Sequence, residues 1–245
     1  MDRRTFGLAA SAALASGANA LAAAQPGPPL DGPRRPPQSP PARFLIVLLH
    51  GFGSNGADMI DLAPNFQAYV PTAACAAPNG PYPIDDGFSW SPTGRPNTGA
   101  GQARPAPVET SAPRGLDAFI DVELARYGLA PERLILIGFS QGANTVLNAG
   151  LRRKVLPAAI VAFAGANLRA DGLVRASRWP PVMLIQGDQD PRVPAGAQDK
   201  AVQLLKGLGA PVTAHMLPGL GHGIDARGIR FAGELIRSAS RGVPA

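Results

Sequence analysis

The stretch Arg133-Leu134-Ile135-Leu136-Ile137-Gly138-Phe139-Ser140-Gln141-Gly142-Ala143-Asn144-Thr145-Val146-Leu147 changes character at its centre. After Arg133 its first third is branched and apolar without interruption, as a strand buried on both faces must be. Its last third reads as a helix, and Gly138-Phe139-Ser140-Gln141-Gly142 forms the join. A strand, a tight turn and a helix in that order hold a serine hydroxyl clear of the backbone. Gly138 and Gly142 leave room where strand and helix crowd together, while Ser140 takes up the strained conformation. The five-residue pattern is weak alone, so the strand before it and the helix after it carry the reading.

Working outward, short apolar runs recur at Phe44 to Leu49, Ala159 to Phe163 and Val182 to Ile185, and Thr72 to Ala77 and Pro211 to Leu217 also read as strands. Between them lie helical stretches at Asp58 to Tyr69, Arg114 to Tyr127, Gln141 to Leu151, Ala195 to Leu208 and Arg227 to Ser238. That alternation predicts an α/β fold, a mostly parallel sheet with helices on both faces. Two stretches break the rhythm. Pro78 to Pro113 is rich in Gly and Pro, carries Tyr82, Phe88 and Trp90, and is longer than ordinary connections. By contrast, only about seventeen residues separate Phe163 from Pro181, which leaves no room for a large cap domain over the strand ends.

A serine hydroxyl needs a base to take its proton. Of the three histidines, His222 lies in Gly219-Leu220-Gly221-His222-Gly223, after the last strand and before the last helix, the place expected for that base. His215 falls inside a strand and reads as structural, and His50 ends the first strand. An acid must orient the imidazole and should follow a strand between Ser140 and His222 in chain order. Asp188 and Asp190 both qualify. Asp190, further into the loop, is the choice, with Asp188 holding turn amides. The oxyanion formed on attack needs two amide donors. The N–H of Gln141, next after the nucleophile, is one, and Phe52 in the turn His50-Gly51-Phe52-Gly53 supplies the other.

The ends of the chain differ from its middle. Residues 1–24 run from Asp2-Arg3-Arg4 into an alanine-rich apolar stretch, which reads as a cleavable export signal of twin-arginine type, cut after Ala24 or earlier after Ala20. Ser11, Ser16, Gly17 and Asn19 dilute it too far for a comfortable membrane span. The expected destination is the periplasm. Residues 25–42, rich in proline, are expected to be an extended mobile leader, and 43–245 the folded domain. A single cysteine, Cys75, rules out an internal disulfide and thiolate metal clusters. The formal charge of +6 comes from scattered arginines, and aromatics are only 6% of the chain, which argues against a nucleic-acid face.

Taken together, Leu49-His50-Gly51-Phe52-Gly53-Ser54-Asn55-Gly56-Ala57-Asp58, Gly138 to Ala143, Gly187-Asp188-Gln189-Asp190-Pro191-Arg192-Val193-Pro194 and Gly221-His222 resemble the phospholipase/carboxylesterase family of the α/β-hydrolases over about Arg43 to Ser238. The resemblance implies a single α/β-hydrolase domain and a two-step acyl transfer through Ser140, Asp190 and His222 that needs no cofactor or metal. The full triad and the missing cap point to a small acyl ester, short or medium in chain, as the substrate, with lysophospholipid or acyl thioester as the alternative. The resemblance also implies that Trp90, in Gly87-Phe88-Ser89-Trp90, lines the acyl site, with ordinary packing as the alternative. A hydrolase-like binding module without activity would be expected to lack a triad member.

Overall fold

The computed structural model describes residues 29–84, 87–92, 115–173, 176–193 and 196–243. The expected signal, most of the long segment between Pro78 and Pro113, and the extreme C-terminus lie outside the described residues. Strands β1 (Arg34–Arg35), β2 (Phe44–Leu49) and β3 (Ala73–Ala76) precede a hairpin, β4 (Tyr82–Ile84) and β5 (Gly87–Ser89). Then come β6 (Leu134–Phe139), β7 (Ala159–Phe163), β8 (Val182–Gly187) and β9 (Val212–Leu217). Seven of them form one sheet in the order β1-β3-β2-β6-β7-β8-β9, parallel throughout except for β1.

The helices are α1 (Gly56–Ile60), α2 (Ala63–Gln67), α3 (Leu116–Arg126), α4 (Gln141–Gly150), α5 (Ala197–Gly207) and α6 (Ala226–Arg241). They cover both faces, and β2 shows why its sequence is apolar at every position. Leu45, Val47 and Leu49 pack with Phe119 and Leu124 of α3 and Val146 of α4. Phe44, Ile46 and Leu48 pack on the opposite face with Phe66 of α2 and Ile236 of α6. Burying such side chains contributes roughly 1.5–3 kcal/mol each, so the central strands dominate the stability of the domain. The stretch Asp58 to Tyr69, expected as one helix, is two short ones. Pro64 has no N–H to donate to the carbonyl four residues earlier, so the first ladder stops and a second helix starts with Pro64 in its first turn.

The expected mobile leader needs a larger correction. Its described part is packed onto the domain, with β1 running antiparallel to β3. Asn79 donates its backbone N–H to Asp31 O at 2.9 Å, Ala77 to Pro33 O at 3.0 Å, and Ser39 donates to Pro71 O at 2.9 Å. Arg34 reaches across to Glu123 of α3, Nε to Oε1 at 2.8 Å, and Arg126 Nε takes the other carboxylate oxygen at 3.1 Å. The Glu123 side chain is fully buried. Backbone carbonyls and one arginine hold this segment, which is why an argument from apolar patterning did not find it. The folded unit begins near Asp31, not Arg43.

Strand register brings the later loops together at the carboxyl end of the sheet. Leu49 pairs with Gly138, so the turn after β2 lies beside the turn after β6. Gly187 pairs with Leu217, which sets the loop after β8 beside the loop after β9. Ligands of open parallel sheets bind at that end.

Candidate active site

Ser140 occupies the junction of β6 and α4 with φ 54° and ψ −114°. A non-glycine residue there stores about 1–3 kcal/mol of strain, which the surroundings must hold. They do so by hydrogen bonding and close packing. Ser140 N–H donates to Phe163 O of β7 at 2.8 Å, and Asn144 N–H to Ser140 O at 3.2 Å. A side chain on Gly142 would place its Cβ 2.2 Å from Leu49 O, and one on Gly138 would come 2.3 Å from Gly142 O. Both glycines are therefore required for the contact of strand, turn and helix.

His222 Nε2 lies 2.9 Å from Ser140 Oγ, and His222 Nδ1 lies 2.8 Å from Asp190 Oδ2. A carboxylate only accepts, so Nδ1 carries the proton and Nε2 is free to receive one from the serine. The Asp190 side chain is fully buried. Its second oxygen, Oδ1, accepts from the backbone N–H groups of Arg192 at 2.8 Å and Val193 at 3.2 Å, which compensate the buried charge. The Phe139 ring, 5.0 Å from the imidazole, supports it from the side.

Asp188 accepts from Gly219 N–H at 2.7 Å. It ties the β8 loop to the loop that carries His222. Gly187 closes the same junction, since a Cβ there would sit 2.0 Å from Leu220 O.

The two expected amide donors sit on facing segments. Gln141 is the first residue of α4, so its N–H has no acceptor within the helix and lies at the positive end of the helix dipole. In the turn after β2, Gly53 N–H donates to Phe88 O and Ser54 N–H to Gly51 O. The N–H of Phe52 has no protein acceptor among the described residues.

Of the two readings of Trp90, its surroundings match packing. It is 2% exposed, and its indole N–H donates to His50 O at 2.8 Å. Through that bond it is tied to the residue that begins the turn carrying Phe52. Sequence reasoning missed what the Gln141 side chain does. Its Oε1 accepts from Trp90 N–H at 3.0 Å, and its Nε2 donates to Ser89 Oγ at 3.0 Å. The available signal is the glutamine immediately after the serine, a side chain with both a donor and an acceptor.

The other two histidines are structural. His50 is buried, and its Nε2 accepts from Gly80 N–H at 2.9 Å, so the proton sits on Nδ1, which donates to Gly51 O at 2.6 Å. Burial lowers its affinity for a second proton. His215 stacks on Phe231 with ring centroids 3.9 Å apart. Burial also pushes the Cys75 thiol up to about 12, so it stays protonated and unreactive. No group of three or more potential metal ligands occurs among the described residues.

Known proteins resemble this chain in sequence and in fold. The family model described as Phospholipase/Carboxylesterase matches residues 36–240. The chain is 31% identical over 209 residues to Esterase YpfH of Escherichia coli, covering 82% of this chain and 85% of that protein. It is 38% identical over 101 residues to Acyl-protein thioesterase 1 of Gibberella zeae, covering 39% and 43% respectively. The crystal structure of esterase PE8 superposes with a TM-score of 0.77 at 37% identity, over 86% of this chain and 99% of that one.

Proposed function

From the premise that the chain belongs to the phospholipase/carboxylesterase family and is a serine esterase of the α/β-hydrolase fold, we propose that Ser140, His222 and Asp190 form its catalytic triad. The observation that carries this is the unbroken line from Ser140 Oγ through His222 to Asp190, with contacts of 2.9 Å and 2.8 Å. Ser140 Oγ attacks the ester carbonyl as His222 Nε2 takes its proton. Negative charge collects on the carbonyl oxygen, where the N–H groups of Phe52 and Gln141 hold it. Collapse of the tetrahedral adduct breaks the bond to the alcohol, which leaves with the proton from His222. Water then attacks the acyl-Ser140, His222 takes a proton from it, and the acid departs as Ser140 recovers its hydrogen.

Short or medium acyl esters are the proposed substrates. No helix or strand lies between β7 and β8 among the described residues, so no cap built from that connection encloses a long chain. A panel of p-nitrophenyl esters from acetate to palmitate tests this. Maximal kcat/KM at or below the octanoate is expected, with Ser140→Ala inactive on all of them. A parent protein that hydrolyses none of the esters, or a Ser140→Ala variant as active as the parent, refutes the reading.

Thioester hydrolysis is the second reading, favoured by the local likeness to an acyl-protein thioesterase. It would replace the first if an acyl thioester were cleaved more than about tenfold faster than its oxyester, a gap of roughly 1.4 kcal/mol in barrier. Export is also proposed, on the strength of Arg3-Arg4 and the apolar stretch that follows. Replacing both arginines with lysine should leave the protein in the cytoplasm, and unchanged fractionation would remove the proposal.

A further inference from the structure

The segment from Gly87 to Trp90 touches both sides of the oxyanion site without contributing either donor. On one side β5 pairs with the turn after β2. Gly53 N–H donates to Phe88 O at 3.0 Å, and Phe88 N–H donates to Ser54 O at 2.9 Å. Gly87 lies so close that a Cβ would come 2.2 Å from Gly53 O. On the other side, Trp90 N–H and Ser89 Oγ engage the two ends of the Gln141 amide. Ser89 Oγ passes its own hydrogen to Ser91 O at 2.9 Å. The Trp90 indole closes the figure by donating to His50 O, whose residue's ring is fixed by Gly51 O and Gly80 N–H.

From this arrangement we infer that Ser89, Trp90 and the Gln141 side chain act as a splint that sets the separation of the Phe52 and Gln141 amide donors. The physical need is plain. The two donors belong to segments far apart in sequence, after β2 and after β6, and the strand pairing of Leu49 with Gly138 ends before either is reached. Beyond that pair, sheet hydrogen bonds no longer fix their spacing. The charge that develops on the substrate oxygen is stabilised only by donors already at the right distance, and a misplacement of about 1 Å can cost about a hundredfold in rate. Buried Ser89 and Trp90 supply the missing cross-tie. The residues of the splint are positioning residues, since none of them needs to touch the substrate with its side chain.

The inference rests on the acyl-transfer reading above, and the test separates the two. Gln141→Met removes both side-chain bonds and keeps the backbone N–H. Ser89→Ala removes the bond to Gln141 Nε2 together with those to Ser91, with little change in volume, and Trp90→Phe removes the indole donor along with part of the ring. Trp179→Phe is the matched control, because its indole also donates to a backbone carbonyl, Leu208 O at 3.0 Å, but stands just before β8 at the opposite end of the sheet. Rates are normalised to sites titrated with a serine-directed phosphonate, which excludes misfolded protein.

The expected result is that Gln141→Met and Trp90→Phe lower kcat about tenfold to a hundredfold with KM within about threefold. Affinity for a trifluoromethyl ketone, whose adduct with Ser140 places an oxyanion between the donors, should fall by the same factor. The double variant should lose little beyond the worse single one, because either change frees the splint. Trp179→Phe should keep parental kcat. If Trp90→Phe does not fold, Ser89→Ala and Gln141→Met carry the same comparison. The splint is overturned if these variants keep kcat and ketone affinity within about twofold of an active parent, or if Trp179→Phe loses as much. An inactive parent, or an active Ser140→Ala, overturns the acyl-transfer reading instead.

Discussion

Two carboxylates stand two residues apart in the loop after β8, and replacing each with asparagine should have opposite consequences. At position 190 the two backbone donors, Arg192 N–H and Val193 N–H, already point at Oδ1. An asparagine there must turn its carbonyl oxygen to those donors, which aims its NH2 at His222. The ring then accepts at Nδ1, the proton moves to Nε2, and Nε2 can no longer take the hydrogen of Ser140 at 2.9 Å. The base is thus lost with almost no change of shape. Loss of triad orientation of this kind is worth about 10⁴ in kcat, or about 5.4 kcal/mol of barrier. At position 188 the amide oxygen of an asparagine still accepts from Gly219 N–H, so Asp188→Asn should keep kcat within about threefold. Steady-state hydrolysis of an activated ester, with thermal melting to confirm folding, makes the comparison. A well-folded Asp190→Asn within tenfold of the parent, or an Asp188→Asn that is the more damaged of the two, would refute the argument.

Three further outcomes follow from the fold. Arg34→Ala leaves buried Glu123 with Arg126 alone and should cost about 2–4 kcal/mol in urea unfolding, whereas a loss below about 0.5 kcal/mol would return the segment to a free leader. Gly142→Ala pushes a Cβ onto Leu49 O and His50 O and should lose about 2 kcal/mol or more together with most activity; a variant melting with the parent would contradict the packing. Burial holds His50 and His215 below the ordinary value of 6.5 in the folded state. The unfolded chain therefore binds more protons as pH drops below 6.5, so the melting temperature should fall from pH 7.5 to pH 5.5 and His215→Gln should lessen the fall; a rise on acidification would be the opposite sign.

The parts of this fold that were legible in the sequence are those that bury side chains. The apolar runs at Phe44 to Leu49 and Leu134 to Ile137 fall within β2 and β6, because strands covered on both faces can carry little else. The positions of Ser140, His222 and Asp190 could be read from which strand each one follows. What stayed hidden is held by backbone and side-chain polar groups that leave no periodic trace. The segment from Asp31 is fixed through carbonyl oxygens and Arg34, and the β4–β5 hairpin is too short to alternate visibly. The two readings of Trp90 stayed undecided in the sequence for a related reason. The family resemblance puts a tryptophan of this loop near the substrate, but its direction depends on the indole N–H, and His50 O is the acceptor it found.

The central claim is that Ser140 forms the covalent intermediate, and intact-mass analysis after exposure to a fluorophosphonate tests it most directly. One adduct per chain is expected, mapping to the peptide that contains Gly138-Phe139-Ser140-Gln141-Gly142, with loss of activity in step with labelling and no adduct on Ser140→Ala. Inactivation with the label on a different residue, or a Ser140→Ala variant that is still labelled and active, would contradict the account.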